Sequence, residues 1–165
     1  MTALQQIQST PHPLDRVEEL AEANDWVLDR TAEDEVNLIV GASHGDLQLS
    51  LSWRSDFESL HVACAFDLKV PPLRREEVGR LVNRVNELLL FGHFDLWRDE
   101  GSVIFREGLV LAGGAGLTDE QCETLIHVAL DSCARYYPAF QFVIWAGKAA
   151  DEAIAACLFE TVGEA

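Results

Sequence analysis

The sequence predicts an α+β domain in which helices pack on a twisted antiparallel sheet. Apolar and polar residues alternate within residues 36–68, whereas apolar residues recur at helical spacing over 78–89 and 122–144. The loops between the alternating segments are too short for the crossovers that parallel strands require, so the sheet is expected to be antiparallel. A length of 165 residues with 48% apolar content fits one domain with its own core.

The chain begins with a polar segment and a short helix. Residues 1–12 predict a flexible N-terminal arm, and residues 13–165 predict a single domain. Apolar residues at helical spacing, with acidic residues between them, then predict a helix over 14–24. The start of the chain lacks a basic segment followed by an apolar block, so a signal peptide is not expected.

A meander of four strands is predicted next. Residues 26–30 predict an edge strand. Period-2 alternation then predicts a hairpin, with strands over 36–40 and 47–53 joined at Ser43–Gly45, and a fourth strand over 60–68. Such alternation gives each strand one buried side and one side open to water.

The second half of the chain begins with a helix and a second hairpin. Pro72 suits the first turn of a helix, which apolar spacing extends to Phe91, and Gly92 is expected to end it in the left-handed conformation. The hairpin has its first strand over 93–97 and returns from residue 103 after a glycine-containing turn.

Two helices are predicted to complete the chain. Thr118 and Gln121 form the pattern of a capping box, which predicts the start of a long helix that contains Pro138. After Gly147, residues 151–159 predict a short final helix.

The four cysteines favour a structural role. They lie at positions 64, 122, 133 and 157, far apart and in apolar surroundings, and they form no CxxC pair. Free buried thiols are therefore expected rather than disulfides or a zinc site.

The chain is strongly acidic. Twenty-eight acidic residues against twelve basic ones give a net charge of −16. A field of this sign repels phosphate backbones and anionic lipids, so neither nucleic-acid binding nor membrane binding is expected. The apolar stretches are far shorter than the roughly 20 residues that a bilayer span requires. These features predict a cytoplasmic protein and favour a basic partner.

Several motifs that suggest catalysis fit structural roles better. Gly41–Gly45 matches G-x-S-x-G, but a nucleophile elbow needs a helix after the serine, and here a strand is predicted, which places Ser43 in a hairpin turn. Glycines within 113–116 lack the Lys-Ser/Thr ending of a phosphate-binding loop. Glu123 and His127 share a helical face without further metal ligands. We therefore predict no catalytic residue, no metal site and no cofactor, and hence not an enzyme.

An apolar run past Pro138 is the first candidate for binding. It comprises Phe140, Phe142, Val143 and Trp145, on a segment that is apolar nearly all round and must be wholly covered. Burial within the chain could supply that cover, or a second copy or another protein could supply part of it.

The second candidate lies on the second hairpin. His93, Asp95 and Trp97 alternate along its first strand and so share one face, and Arg106 lies on the returning strand. These four residues could line a pocket for a small ligand, or they could fix the hairpin onto the preceding helix.

Three segments carry a family resemblance: LSLSWRSDFESLHVACAFDLKVP, NELLLFGHFDLW and YYPAFQFVIWAGK. Through them the chain resembles the YbjN family, in its alphaproteobacterial form, from about Leu14 to the C-terminus. The resemblance implies a bacterial sensory transduction regulator whose fold is similar to that of type III secretion chaperones. It supplies no catalytic residue.

These features together predict a non-enzymatic, chaperone-like regulatory protein. It would act as a homodimer and hold a protein or peptide partner against its sheet or its apolar helix face. The alternative is a small-molecule sensor with a pocket near the 93–106 hairpin.

Overall fold

The computed structural model describes residues 10–163 and confirms the predicted α+β class. Its elements in chain order are α1 (Pro13–Ala23), β1 (Val27–Ala32), β2 (Glu35–Ala42), β3 (Gly45–Arg54), β4 (Ser59–Lys69), α2 (Arg75–Asn86), β5 (His93–Trp97), β6 (Ser102–Val110), α3 (Asp119–Ile144) and α4 (Ala150–Gly163). A short 3-10 turn over Pro72–Arg74 leads into α2. Residues 1–9 of the predicted N-terminal arm lie outside the described part of the chain, so the flexibility of this arm stays a prediction.

The strands form one antiparallel sheet in the order β1-β2-β3-β4-β6-β5. Successive hairpins join the first four strands, as the alternation predicted, and β1 lies at the predicted edge. Strand β6 then pairs with β4, and β5 forms the opposite edge.

The sheet has a covered face and a bare face. Helices α1, α2 and α3 lie against the covered face, where alternate side chains such as Leu38, Leu49 and Phe105 are buried. The intervening residues point to the bare face. One row across it, in sheet order, consists of Asp29, Asn37, Ser50, Ala63, Arg106 and His93. Within the described residues no helix covers these side chains, as the period-2 pattern led us to expect.

An aromatic cluster fills the covered face beneath α3. The ring centroids of Phe94 lie 5.2 Å from Phe105 and 5.4 Å from Phe140, and those of Phe66 and Phe140 lie 5.4 Å apart. Edge-on and tilted pairs of this kind add roughly 0.5–1.5 kcal/mol each beyond their buried area. The cluster therefore joins β4, β5 and β6 to α3.

Helix α2 ends at Asn86 and not, as predicted, at Phe91. The Asn86 side chain instead binds the backbone of β5: its Oδ1 accepts from the Phe94 N–H at 2.8 Å, and its Nδ2 donates to the Phe94 carbonyl at 3.0 Å. Gly92 has the predicted positive φ of 68°, but it precedes β5 and does not cap the helix. Residues 88–91 consequently form a loop.

The capping box at the start of α3 is confirmed. Thr118 Oγ1 accepts from the Gln121 N–H at 3.1 Å, and Gln121 Oε1 accepts from the Thr118 N–H at 3.0 Å. Helix α3 continues through Pro138, and α4 extends to Gly163, beyond the predicted end at residue 159.

Candidate functional site

The bare face of the sheet forms a shallow groove with a volume of about 660 Å³. Its floor consists of small side chains on the central strands, among them Ser50, Ala63 and Ala65. Larger apolar side chains stand towards its two sides: Ile39 on β2 is 39% exposed, and Trp97 on β5 is 44% exposed. A low floor between apolar sides leaves room for another molecule to lie across the strands.

The four residues of the predicted ligand pocket share the bare face. Asp95 Oδ2 lies 3.2 Å from Arg106 Nη1 and 3.3 Å from His93 Nε2, and Trp97 and Arg106 line the groove. The charged side chains are partly exposed, so the Asp95–Arg106 pair stabilises the fold by only about 0.2–1 kcal/mol. The arrangement offers hydrogen-bonding groups beside an aromatic surface. That these four residues bind a ligand stays a prediction.

The structure divides the apolar run past Pro138. Phe140 and Val143 are fully buried inside the chain, so neither side chain can touch a partner in this conformation, which corrects their assignment to an interface. Phe142 is half-buried and lies under the Lys148 ammonium group, with the nitrogen 5.6 Å from the ring centroid. Trp145 is 67% exposed. An interface at this position stays a prediction for Phe142 and Trp145 alone.

The G-x-S-x-G segment has the structural role that its surroundings predicted. Ser43 and His44 form the turn between β2 and β3, and β3 follows where a nucleophile elbow would need a helix. A different serine–histidine contact was missed: Ser59 Oγ lies 3.2 Å from His61 Nε2. Residues two apart on a strand share a face, so the alternation could have indicated it. Among the described residues no third side chain binds the other His61 nitrogen, so the contact lacks the orienting group of a triad.

All four cysteines are buried, as predicted, and Cys64, Cys122 and Cys133 are free thiols. Burial raises the pKa of the Cys122 thiol to about 11, and the Asp119 carboxylate adds to this shift. A hydrogen bond with Cys64, together with burial, raises the pKa of Cys133. A thiol that stays protonated at neutral pH is a poor nucleophile, so Cys122 and Cys133 belong to the core.

The described residues hold no group of three or more His, Cys, Asp or Glu side chains arranged to bind a metal ion. His127 lies edge-on to Trp26, with the ring centroids 6.5 Å apart. Over the same part of the chain, no helix combines the length and the apolar character needed to cross a membrane.

A second apolar surface was missed by the sequence reasoning. The loop over residues 88–91 exposes Leu90 by 86% and Phe91 by 57%. Phe91 borders a separate groove of about 420 Å³, between the end of β6 and helix α3. The sequence does contain a signal for this surface: residues 88–91 are four consecutive apolar residues, whereas a helix that is buried on one side needs apolar residues only at every third or fourth position.

Comparison with known proteins agrees with this architecture. A family model described as "YbjN: Putative bacterial sensory transduction regulator" matches residues 13–142. The crystal structure of YbjN from E. coli is similar, with a TM-score of 0.54 at 13% sequence identity over 76% of this chain and 88% of that one, which shows a shared fold. The crystal structure of the ExsC–ExsE complex gives a TM-score of 0.46 at 17% identity over 71% of this chain and 84% of that one. No curated protein sequence matches the chain significantly.

Proposed function

The chain belongs to the YbjN family, and from this premise we propose that it is a non-enzymatic regulatory protein that binds a protein or peptide partner on the bare face of its sheet. One observation carries the proposal: six strands leave a face with apolar side chains open to water. Val27, Ile39 and Trp97 are 62%, 39% and 44% exposed there. The solvent face of an antiparallel sheet is ordinarily polar, so apolar groups around a groove support a binding role.

The charge of the chain supports a basic partner. A net charge of −16 speeds the encounter with a basic surface and repels acidic ones. On the bare face, Asp29 stands near one side and Asp95 near the other. We propose that the apolar side chains supply the affinity and that these carboxylates orient the partner.

We propose further that the protein acts in the cytoplasm as a homodimer, in bacterial signal transduction. The exposed Trp145 supports a contact between copies, because tryptophan is enriched at the centres of interfaces. The half-buried Phe142 would extend that contact.

The binding proposal is tested by a variant in the middle of the groove. Ala65→Arg places a long charged side chain on the groove floor without touching the core, since Ala65 is exposed. The control is Leu73→Arg, which changes a residue that is 96% exposed on the 3-10 turn. We expect tagged wild-type protein and Leu73→Arg to capture the same stoichiometric partner from native extract, and Ala65→Arg to lose it. Equal capture by all three would contradict the proposal.

The second candidate function is a small-molecule sensor at the 93–106 hairpin. The observation that favours it is the Asp95 carboxylate, held between Arg106 and His93 beside the exposed Trp97 ring. A metabolite screen by thermal shift separates the two functions. A saturable rise in Tm that is lost in Trp97→Ala, together with no stoichiometric protein partner, would favour the sensor.

A further inference from the structure

Strand β6 continues beyond the point where its neighbour β5 begins. His93, the first residue of β5, pairs with Arg106, whereas β4 accompanies β6 as far as Val110. Residues 107–110 therefore have a paired strand on one side only. On the other side, the described part of the chain leaves a space bordered by Phe91 and helix α3, which we call the β6 gap.

The backbone of residues 107–110 points alternate hydrogen-bonding groups into the β6 gap. Leu111, an odd-numbered residue, donates its N–H to the Glu58 carbonyl at 2.7 Å on the β4 side. Because backbone groups alternate in direction along a strand, Gly108 and Val110 face the gap. The Gly108 N–H is consistent with this direction, since it donates to the side chain of the preceding residue, at Glu107 Oε1, over 2.7 Å. A carbonyl from an incoming strand could replace that local bond.

The hydrogen bonds of the second hairpin independently indicate the same alternation, in which the even-numbered residues of β6 face away from β4. Phe94 directs both its N–H and its carbonyl away from β6, to the Asn86 side chain. Phe94 and its partner Phe105 therefore exchange no ladder bonds, whereas Arg106 faces β5. Gly108, two residues after Arg106, faces the same side, but β5 does not extend far enough to pair with it. Asn86 thus occupies the outer edge of β5 at Phe94, while the edge of β6 stays open.

An apolar groove lies directly beside this open edge. Leu109, Leu125 and Val128 line it together with Phe91, and its volume of about 420 Å³ suits one or two large side chains. Neighbouring exposed apolar groups of this kind mark interaction sites.

The rim of the groove is acidic. Glu107 and Glu120 line it from β6 and α3, and the described residues that form its walls include no lysine or arginine. An occupant with basic side chains would therefore be favoured, in keeping with the net charge of −16.

We propose that the β6 gap binds an extended, basic peptide segment of a partner protein as an added strand. The peptide pairs with residues 107–110, places an aliphatic or aromatic side chain in the groove, and sets basic side chains against Glu107 and Glu120. Strand addition uses main-chain hydrogen bonds for affinity and alternate side-chain pockets for selectivity. This site goes beyond the proposed function, because it lies beside the helix layer and not on the bare face.

Binding of a labelled peptide to the full chain tests the site. The probe is a fluorescein-labelled peptide in which leucine and valine alternate with lysine, and its binding is followed by anisotropy. Phe91→Ser and Glu120→Lys should each raise Kd about fivefold or more, equivalent to the loss of one good contact. Phe57→Ser, at a phenylalanine 65% exposed elsewhere, and Glu123→Lys, on α3 outside the groove, should stay within about twofold.

Two further measurements separate strand pairing from simple charge attraction. Amide exchange at Gly108 and Val110 should slow when the peptide binds. N-methylation of every second peptide residue should abolish binding when the methylated residues are those that face β6, and should leave binding intact when the other set is methylated. Trp97→Ala should leave Kd unchanged, so failure here is distinguishable from failure of the bare-face proposal.

Three outcomes would overturn the proposal. The first is an equal loss of binding in Phe91→Ser and Phe57→Ser, and the second is unchanged amide exchange. The third is a wild-type dimer that Phe91→Ser converts to a monomer, which would show that a second copy of the chain occupies the gap.

Discussion

The covered and bare faces of the sheet are built from the same strands but place different demands on the sequence. On the covered face, Leu38, Val62 and Phe94 are buried and their size is set by the helices above them. On the bare face, their neighbours Ala63 and His93 are half-buried or exposed. The requirements of folding and of binding thus alternate residue by residue, and one face can change while the other keeps the fold.

The largest expected effect separates two adjacent residues of β5. Phe94→Ala removes a fully buried ring from the aromatic cluster and should lower the free energy of unfolding by about 3–5 kcal/mol. His93→Ala, on the bare face, should change it by at most about 0.5 kcal/mol. Urea denaturation of the two variants measures both values. Comparable losses would show that the two faces contribute equally to stability.

A substitution at Gly92 tests how closely the covered face is packed. Its φ of 68° disfavours a β-branched residue, and a Cβ there would meet the Phe105 ring and lie 3.0 Å from the Arg106 carbonyl oxygen. Gly92→Val should cost about 3 kcal/mol, from backbone strain and overpacking together. Gly113→Val is the control, since Gly113 also has positive φ but has open space around it. If both variants lose the same stability, packing against Phe105 contributes nothing.

The stability of the protein at alkaline pH tests whether water is excluded from the Cys122 thiol on α3. The folded-state pKa of Cys122, raised to about 11 by burial, exceeds the value of about 8.5 expected in the unfolded chain. The protonated thiol therefore stabilises the fold fully below about pH 8.5, and this contribution is lost as pH rises towards the folded-state pKa.

The measurement compares unfolding free energies at two pH values. Between about pH 8 and 10.5 the wild type should lose about 2 kcal/mol more than Cys122→Ala, which lacks the titrating group. Identical pH profiles for the two proteins would show that this thiol is already hydrated in the folded state.

The smallest effect on stability is expected at Trp145, on the outer surface of the helix layer. Trp145→Glu should change the free energy of unfolding by no more than about 0.5 kcal/mol, because the ring is largely exposed. If Trp145 joins two copies, the variant should nevertheless halve the mass measured by light scattering. Leu73→Glu, at another exposed residue, serves as the control. An unchanged mass for Trp145→Glu would exclude this dimer contact.

The strands could be predicted from the sequence because burial of one face imposes a period of two over whole segments. The end of α2 could not. Leu88 and Leu89 continue the helical spacing from Val85, but Asn86 is drawn to the backbone of Phe94, eight residues further on. The residues around Asn86 do not indicate this contact, because it forms only when α2 and β5 come together in the folded chain.

The candidate sites show the same limit. The sequence placed His93, Asp95 and Trp97 on one face, because alternation alone decides this. It could not separate Phe140, which is core, from Trp145, which is exposed, because core and interface require the same apolar residues. The β6 gap was invisible for a related reason: it depends on where β5 begins relative to β4, and this register is a property of the assembled sheet.

The strand order has a consequence for the route by which the chain folds. Strands β1 to β4 pair with their neighbours in sequence, so the meander closes only short loops. Strand β6 must reach β4 across α2 and β5, and this pairing brings the Phe94 ring of the hairpin to 5.7 Å from the Phe66 ring on β4. We expect the docking of the β5–β6 hairpin to be the slow step, with the meander and its hairpins already formed in the transition state.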